Sequence, residues 1–206
     1  MARSPRPSPL KPRKTPTQPR SAQTVAALLE AAAQVLERHG LEGFNTNAVA
    51  ERAGVSIGSL YQYFPGKDAL TLALMQREGE RFQAEAALAL DQPSGFGALK
   101  CFIDACVRQQ LQRPALARLL DVEQARPVLR REAGGPGALH AILLAILDRA
   151  DLPRRTRPDV AAIDLLAIIR GMTDTAGERG ETDVTDLQSR IEPAVFGYLG
   201  LGAAGA

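Results

Sequence analysis

Tryptophan is absent from the 206-residue chain, and aromatic residues make up only 4% of it. A core so poor in aromatics is built from Ala, Leu, Ile and Val, which favours closely packed helices over a sheet. Cysteine occurs only at Cys101 and Cys106, too few for a disulfide framework or a zinc site. At that spacing on a helix the two thiols point about 140° apart. No local bridge is expected, and a reducing cytoplasm suits the chain. Histidine is confined to His39 and His140, so general-base candidates are scarce. There is no glycine-rich phosphate loop after a strand, no Gly-x-Ser-x-Gly elbow and no His/Cys cluster at metal spacing. An enzyme is therefore not expected, and no catalytic residue, metal ligand or cofactor is assigned. No uncharged apolar run reaches the ~18 residues of a membrane span; the longest, Ala161 to Ile169, is broken by Asp164. The N-terminus also lacks the apolar stretch of a secretory signal.

What is present is an uneven charge. The formal net charge of +2 conceals a first segment carrying Arg3, Arg6, Lys11, Arg13, Lys14 and Arg20 with no acid. The same segment holds Pro5, Pro7, Pro9, Pro12, Pro16 and Pro19 and one large aliphatic residue, Leu10. It buries too little to offset its ordering entropy, so residues 1–19 read as a disordered arm. Three roles stay open: a basic arm on nucleic-acid phosphates or in a minor groove, a solvated leader, or an organelle transit peptide.

From Ser21 onward the period is helical. Val25, Leu28, Leu29, Ala32, Val35 and Leu36 make one apolar stripe, closed by Gly40. Asn45 or Thr46 caps a second helix that stops at Gly54, and Ser56 caps a third, Ile57 to Phe64, ended by Pro65-Gly66. A fourth runs from Lys67 to about Leu90. Further helices are expected from Ser94 or Gly95 to about Gln112, from Pro114 to Glu123, from Ala138 to Ala150 and from Pro158 to about Ala176. Gly134-Gly135-Pro136-Gly137 is the strongest break. A last helix, Thr185 to Leu199, contains Pro193, which is expected to kink or split it. The fold class is all-α.

Function concentrates in Asn45 to Leu70, NTNAVAERAGVSIGSLYQYFPGKDAL. Two short helices around Gly54-Val55-Ser56 form a helix-turn-helix. Ser56, Ser59, Tyr61, Gln62 and Tyr63 supply uncharged donors on the second of them, as a major-groove helix requires. Lys67 and the first N–H groups of the fourth helix offer a further anion site. Taken singly, Tyr61 and Tyr63 also fit as packing residues.

TNAVAERA followed by GVSIGSLYQYFPGKDAL resembles the DNA-binding half of tetracycline-repressor (TetR) family regulators, across roughly Arg20 to Gln76. The resemblance implies a homodimer that binds a near-palindromic operator in double-stranded DNA and releases it on binding a small effector. It implies phosphate contacts from Thr46, Tyr61, Tyr63 and Lys67, and a major-groove position for Ser56, Ile57, Gly58 and Ser59. Gln62 is the expected amide reader of a base. Ile57 stands where the family is commonly basic, which suggests apolar contact with a thymine methyl. Tyr63→Ala and Lys67→Ala are expected to weaken DNA binding while sparing the fold.

On this reading the chain comprises the arm (1–19), a headpiece (20–78) and a helical effector-binding and dimerisation domain (79–206). The stretch from Val160 to Ile169 is apolar almost all round, so it is expected to be buried on more than one side. Ile163 and Ala167, with Leu187, Ile191, Val195 and Tyr198 on the last helix, are the expected dimer interface; a fully internal helix in a monomer is the alternative. Phe102, Cys106, His140 and Asp164 are the effector-site candidates, with packing roles as the alternative for each. Asp164 needs a partner, for which Arg170 or a helix N-terminus is expected. A regulator without a ligand, governed by a protein partner or by cysteine oxidation, is the alternative function.

Overall fold

The computed structural model describes residues 19–129 and 137–201, for Pro19 the backbone alone. The arm up to residue 18 and the Gly134-Gly135-Pro136 break lie outside the described residues. The elements are α1 (Pro19–Gly43), α2 (Thr46–Arg52), α3 (Ile57–Tyr63), α4 (Lys67–Ala87), a 3-10 turn (Leu88–Asp91), α5 (Gly95–Leu111), α6 (Pro114–Gln124), α7 (Gly137–Leu147), α8 (Pro158–Glu178) and α9 (Val184–Tyr198). No strand occurs among the described residues, and the fold is all-α as the composition indicates. None of the described helices is long and apolar enough to cross a membrane.

The chain divides into two compact units. The first contains residues up to Glu78 together with Leu119–Ala133. Its core is Leu28, Ala32, Leu36, Phe44, Val49, Leu60, Phe64 and Leu70, all buried. Gly40 ends the apolar stripe of α1 in a left-handed conformation (φ 62°), and one more helical turn carries the chain to Gly43. The 119–133 segment, which the sequence reading gives to the second domain, joins this unit through side chains on α4. Leu129 is fully buried against Leu72, and Arg126 pairs with Asp68 at 2.9 Å.

The second unit contains Gly79–Arg118 and Gly134–Ala206. Phe102, Ile103 and Val107 of α5, Leu143 and Ile146 of α7, Ala162 and Leu165 of α8, and Leu187, Ile191 and Val195 of α9 form its core. The loop after α7 clasps the start of α5. Arg149 donates to the carbonyls of Leu90 and Gln92, and Asp151 accepts from the Gly95 N–H at 2.7 Å. Pro193 does not split the last helix, which runs unbroken from Val184 to Tyr198. One missing N–H in fifteen residues is outweighed by the buried stripe of Leu187, Ile191 and Val195 on either side of it.

Candidate DNA-binding site

The site is built on the turn between α2 and α3. Asn45 caps α2, its side chain accepting from the Ala48 N–H at 2.9 Å. At the other end the Val55 N–H bonds back to the Ala50 carbonyl at 3.0 Å and Gly54 takes φ +68°. That left-handed residue is the reason for glycine: a Cβ would strain the turn. Ser56, extended, caps α3 by accepting from the Ser59 N–H at 3.1 Å. Phe64 is extended ahead of Pro65, as the steric demand of proline requires, and α3 ends there. Leu60, fully buried, anchors α3 from beneath. Its outward face presents Ile57, Gly58, Tyr61 and Gln62, all exposed.

Because Asn45 performs the capping, the Thr46 hydroxyl is left for another use. It lies 3.2 Å from the Tyr61 hydroxyl. Two exposed hydroxyls from separate helices thus meet at one edge of the α3 face, an arrangement that can donate to an anionic oxygen. Ser56 and Ser59 are also brought together, with their hydroxyls 2.9 Å apart. The Ser56 oxygen also serves the cap, and the pair sits at an exposed helix end. Tyr63 is half-buried.

Lys67 has a contact within the chain that its sequence position does not show. Its Nζ donates to the Leu41 carbonyl at 3.1 Å and sits 5.4 Å from the centroid of the Phe44 ring. The carbonyls of a helix's last turn lack N–H partners, and the turn after Gly40 offers one to this ammonium. Lys67 is thus a strut joining the start of α4 to the end of α1, with a structural use beside any contact to DNA.

Sequence reasoning assigned nothing to the outer groove of α1 and α2. There Arg52 donates to Gln34 at 2.8 Å, and with Arg38, His39 and Glu51 they line a cleft of about 390 Å³. The signal was available as cations at the ends of both helices.

The remaining candidates lie in the second unit. Phe102 and Cys106 are core residues of α5. Burial pushes the Cys106 thiol up to about 12; partial burial and the charges of Asp104 and Asp91 raise that of Cys101. Both are free thiols. His140 approaches the Asp159 carbonyl at 3.4 Å through Nε2. The partner of Asp164 is not Arg170, which pairs with Asp174 at 3.2 Å. It is Tyr198, whose hydroxyl donates to Asp164 at 2.7 Å; that hydrogen bond first, then burial and the carboxylate charge, raises the phenol above its usual range. Arg155 closes the cluster, donating to the Tyr198 carbonyl at 2.7 Å.

The expected dimer face separates into two sets. Leu187, Ile191 and Val195 are each 0% exposed, because the apolar stripe of α9 packs on α5 and α8 of its own unit. They are core residues. Ile163 and Tyr198 are 56% and 38% exposed, and Ala167 is exposed one turn beyond Ile163.

The sequence model of the tetR family of bacterial regulatory proteins matches residues 28–74. The chain is 42% identical over 69 residues to the HTH-type transcriptional repressor KstR of Mycolicibacterium smegmatis, covering 32% of this chain and 34% of that one. It is 34% identical over 116 residues to the HTH-type transcriptional repressor DrrR1 of Streptomyces coeruleorubidus, covering 54% and 38%. The chain thus spans little more than a third of the length of these relatives. Among solved structures, a transcriptional regulator from Pseudomonas aeruginosa PAO1 superposes with a TM-score of 0.70 at 25% identity, over 89% of this chain and 93% of that one. The fatty acid degradation regulator FadR from Bacillus halodurans shares the fold, with a TM-score of 0.73 at 18% identity over 93% and 99%.

Proposed function

We propose, from the match of residues 28–74 to the tetR family of bacterial regulatory proteins and the likeness to the repressors KstR and DrrR1, that the chain is a transcriptional repressor of that family, one that works by binding and not by catalysis. It binds a near-palindromic operator as a homodimer, in the cytoplasm where the DNA is, and a small molecule held by the second unit releases it. The observation that carries the DNA reading is the exposed face of α3 with the Thr46 and Tyr61 hydroxyls paired at its edge. In this arrangement α3 enters the major groove and the hydroxyl pair meets a flanking phosphate. Repression is supported by the names of KstR and DrrR1. Dimerisation is supported by the apolar residues left outward on α8, Ile163 and Ala167, beside Tyr198 of α9. The domain limits follow the same division, arm, headpiece and effector domain, with residues 119–129 assigned to the headpiece's unit.

Selection of bound duplexes from a random DNA library, at fixed moderate salt, tests the proposal. An enriched palindrome whose half-sites lie about one helical turn or a multiple apart is the expected result. Recovery of unenriched sequence by the full-length chain would overturn it.

A further inference from the structure

Among the described residues, five polar or charged side chains are buried: Thr71, Glu78, Gln110, Glu123 and Thr173. Four of them are satisfied within the chain. Thr71 and Thr173 donate to the Lys67 and Arg170 carbonyls, and Glu78 and Glu123 pair with Arg77 and Arg126. The fifth, the Gln110 amide of α5, has no hydrogen-bond partner among the described residues. A buried amide in that condition costs stability. Neither of its polar atoms is sealed off, however, and the residue remains 8% exposed, so a small molecule can reach it.

The amide is held where it is by a second costly residue. Gly177 stands inside α8, where glycine weakens a helix. A Cβ there would fall 2.5 Å from Gln110 Nε2, 3.2 Å from its Cγ and 3.3 Å from its Cδ. Gly79, Gly171 and Gly197, which are also helical, have nothing within 4 Å of the same position. The bare backbone at Gly177 is thus occupied by the Gln110 side chain, which lies across it. Two residues that each weaken the fold meet at one contact between α5 and α8, and such violations of local rules gather at functional sites.

We propose that Gln110 is the polar anchor of the effector site, and that the effector is a neutral, largely apolar molecule bearing a carboxamide or lactam group. The proposal rests on the effector-gated reading given above. Cys106, Val107 and Leu111 of α5 and Ala176 of α8, its neighbours along the two helices, are buried. Thr173, one turn before Gly177 on the same face of α8, gives its proton to the Arg170 carbonyl and keeps an oxygen that accepts. No charged residue is buried in this unit among the described residues. A carboxylate or ammonium drawn in would find no opposite charge to offset its desolvation. The Gln110 amide offers a donor and an acceptor side by side, and a ligand amide presents the matching acceptor and donor.

The full-length chain is titrated with benzamide, cyclohexanecarboxamide and octanamide, each against the carboxylate of the same skeleton, at about pH 7.5 where the acids are ionised. Binding is read without DNA as a rise in melting temperature, and release as the anisotropy of a labelled operator. At least one carboxamide is expected to bind and to release the operator, with its carboxylate weaker by about tenfold or more. Gln110→Met melts at or above the wild-type temperature when no probe is present, because an apolar chain replaces an unpaired amide. Its affinity for the carboxamide falls about tenfold or more, the worth of the hydrogen bonds lost. Gly177→Ala, whose methyl pushes the amide aside, weakens carboxamide binding in the same direction. Carboxylates that bind as tightly as their amides, a Gln110→Met chain that responds like the wild type, or a panel in which no carboxamide shifts the melting temperature overturns the anchor and leaves DNA binding untouched. Carboxamide binding by a chain that selects no operator keeps the anchor and overturns the repressor.

Discussion

At the scale of single residues, Lys67 and Tyr61 separate two uses of a polar group that their sequence positions do not distinguish. The Tyr61 hydroxyl touches Thr46 at an exposed site, so removing it deletes a donor to DNA without opening a cavity. Tyr61→Phe is expected to weaken operator binding about tenfold, the worth of one hydrogen bond to a charged group, with an unchanged urea midpoint. Lys67 instead holds the Leu41 carbonyl and the Phe44 ring. Lys67→Ala is expected to lose about 1–2 kcal/mol of stability, from a charge-assisted hydrogen bond and a cation–π contact, and to bind more weakly as well. A Lys67→Ala chain with the wild-type urea midpoint would return this ammonium to the DNA alone. The sequence could not have shown this strut, because its partner is a backbone carbonyl 26 residues earlier, and carbonyls carry no residue signature. The Thr46–Tyr61 pair was half legible. Both residues stand out in the motif, but their meeting follows from Asn45 taking the cap, and the sequence left Asn45 and Thr46 open as alternatives.

At the scale of elements, ends were legible and partners were not. Caps and stops are local chemistry, and Ser56, Ser94, Gly54 and Pro65 mark in the sequence the boundaries that the helices adopt. Periodicity, by contrast, reports which face of a helix is buried and nothing about what buries it. The stripe Leu187, Ile191 and Val195 is therefore equally consistent with a partner chain and with α5 and α8 of the same unit, and the structure places it in the latter. The apolar surplus of α8 is what remains outward, at Ile163 and Ala167. Two substitutions separate these faces. Ile191→Ala opens a core cavity and is expected to cost about 2–5 kcal/mol, read as an earlier denaturation midpoint. Ile163→Glu places a charge on an exposed face of the folded chain. It is expected to spare the far-ultraviolet circular dichroism spectrum and to shift sedimentation from dimer towards monomer, since a buried unpaired carboxylate disfavours association. An Ile163→Glu chain that still sediments as a dimer would move the interface off this face of α8.

At the scale of the molecule, the charge distribution decides where affinity for DNA originates. Residues 20–78 carry Arg20, Arg38, Arg52, Lys67 and Arg77 against Glu30, Glu37, Glu42, Glu51, Asp68 and Glu78, so the headpiece is slightly acidic. Three of these five cations are also engaged: Arg77 with Glu30 and Glu78, Lys67 with Leu41 and Arg52 with Gln34. A protein that displaces counterions from a duplex needs positive charge close to phosphate, and the largest reserve lies in the arm, at Arg3, Arg6, Lys11, Arg13 and Lys14. Deleting residues 2–19 is therefore expected to weaken operator binding and to flatten the plot of log Kd against log salt. The slope falls by up to about 4–5 for each arm that fully engages phosphate, at roughly 0.9 per neutralised charge. The ratio of operator to random-sequence affinity is expected to change far less, because phosphate contacts set strength and position while base edges set sequence. Titration of full-length and shortened chains across 50–200 mM salt, the range over which such contacts change affinity most visibly, reads both quantities at once. An unchanged slope removes the arm from DNA binding and leaves the polar and apolar face of α3 as the source of affinity. A collapsed ratio would instead put sequence reading in the arm, as an insertion into the minor groove next to the half-site.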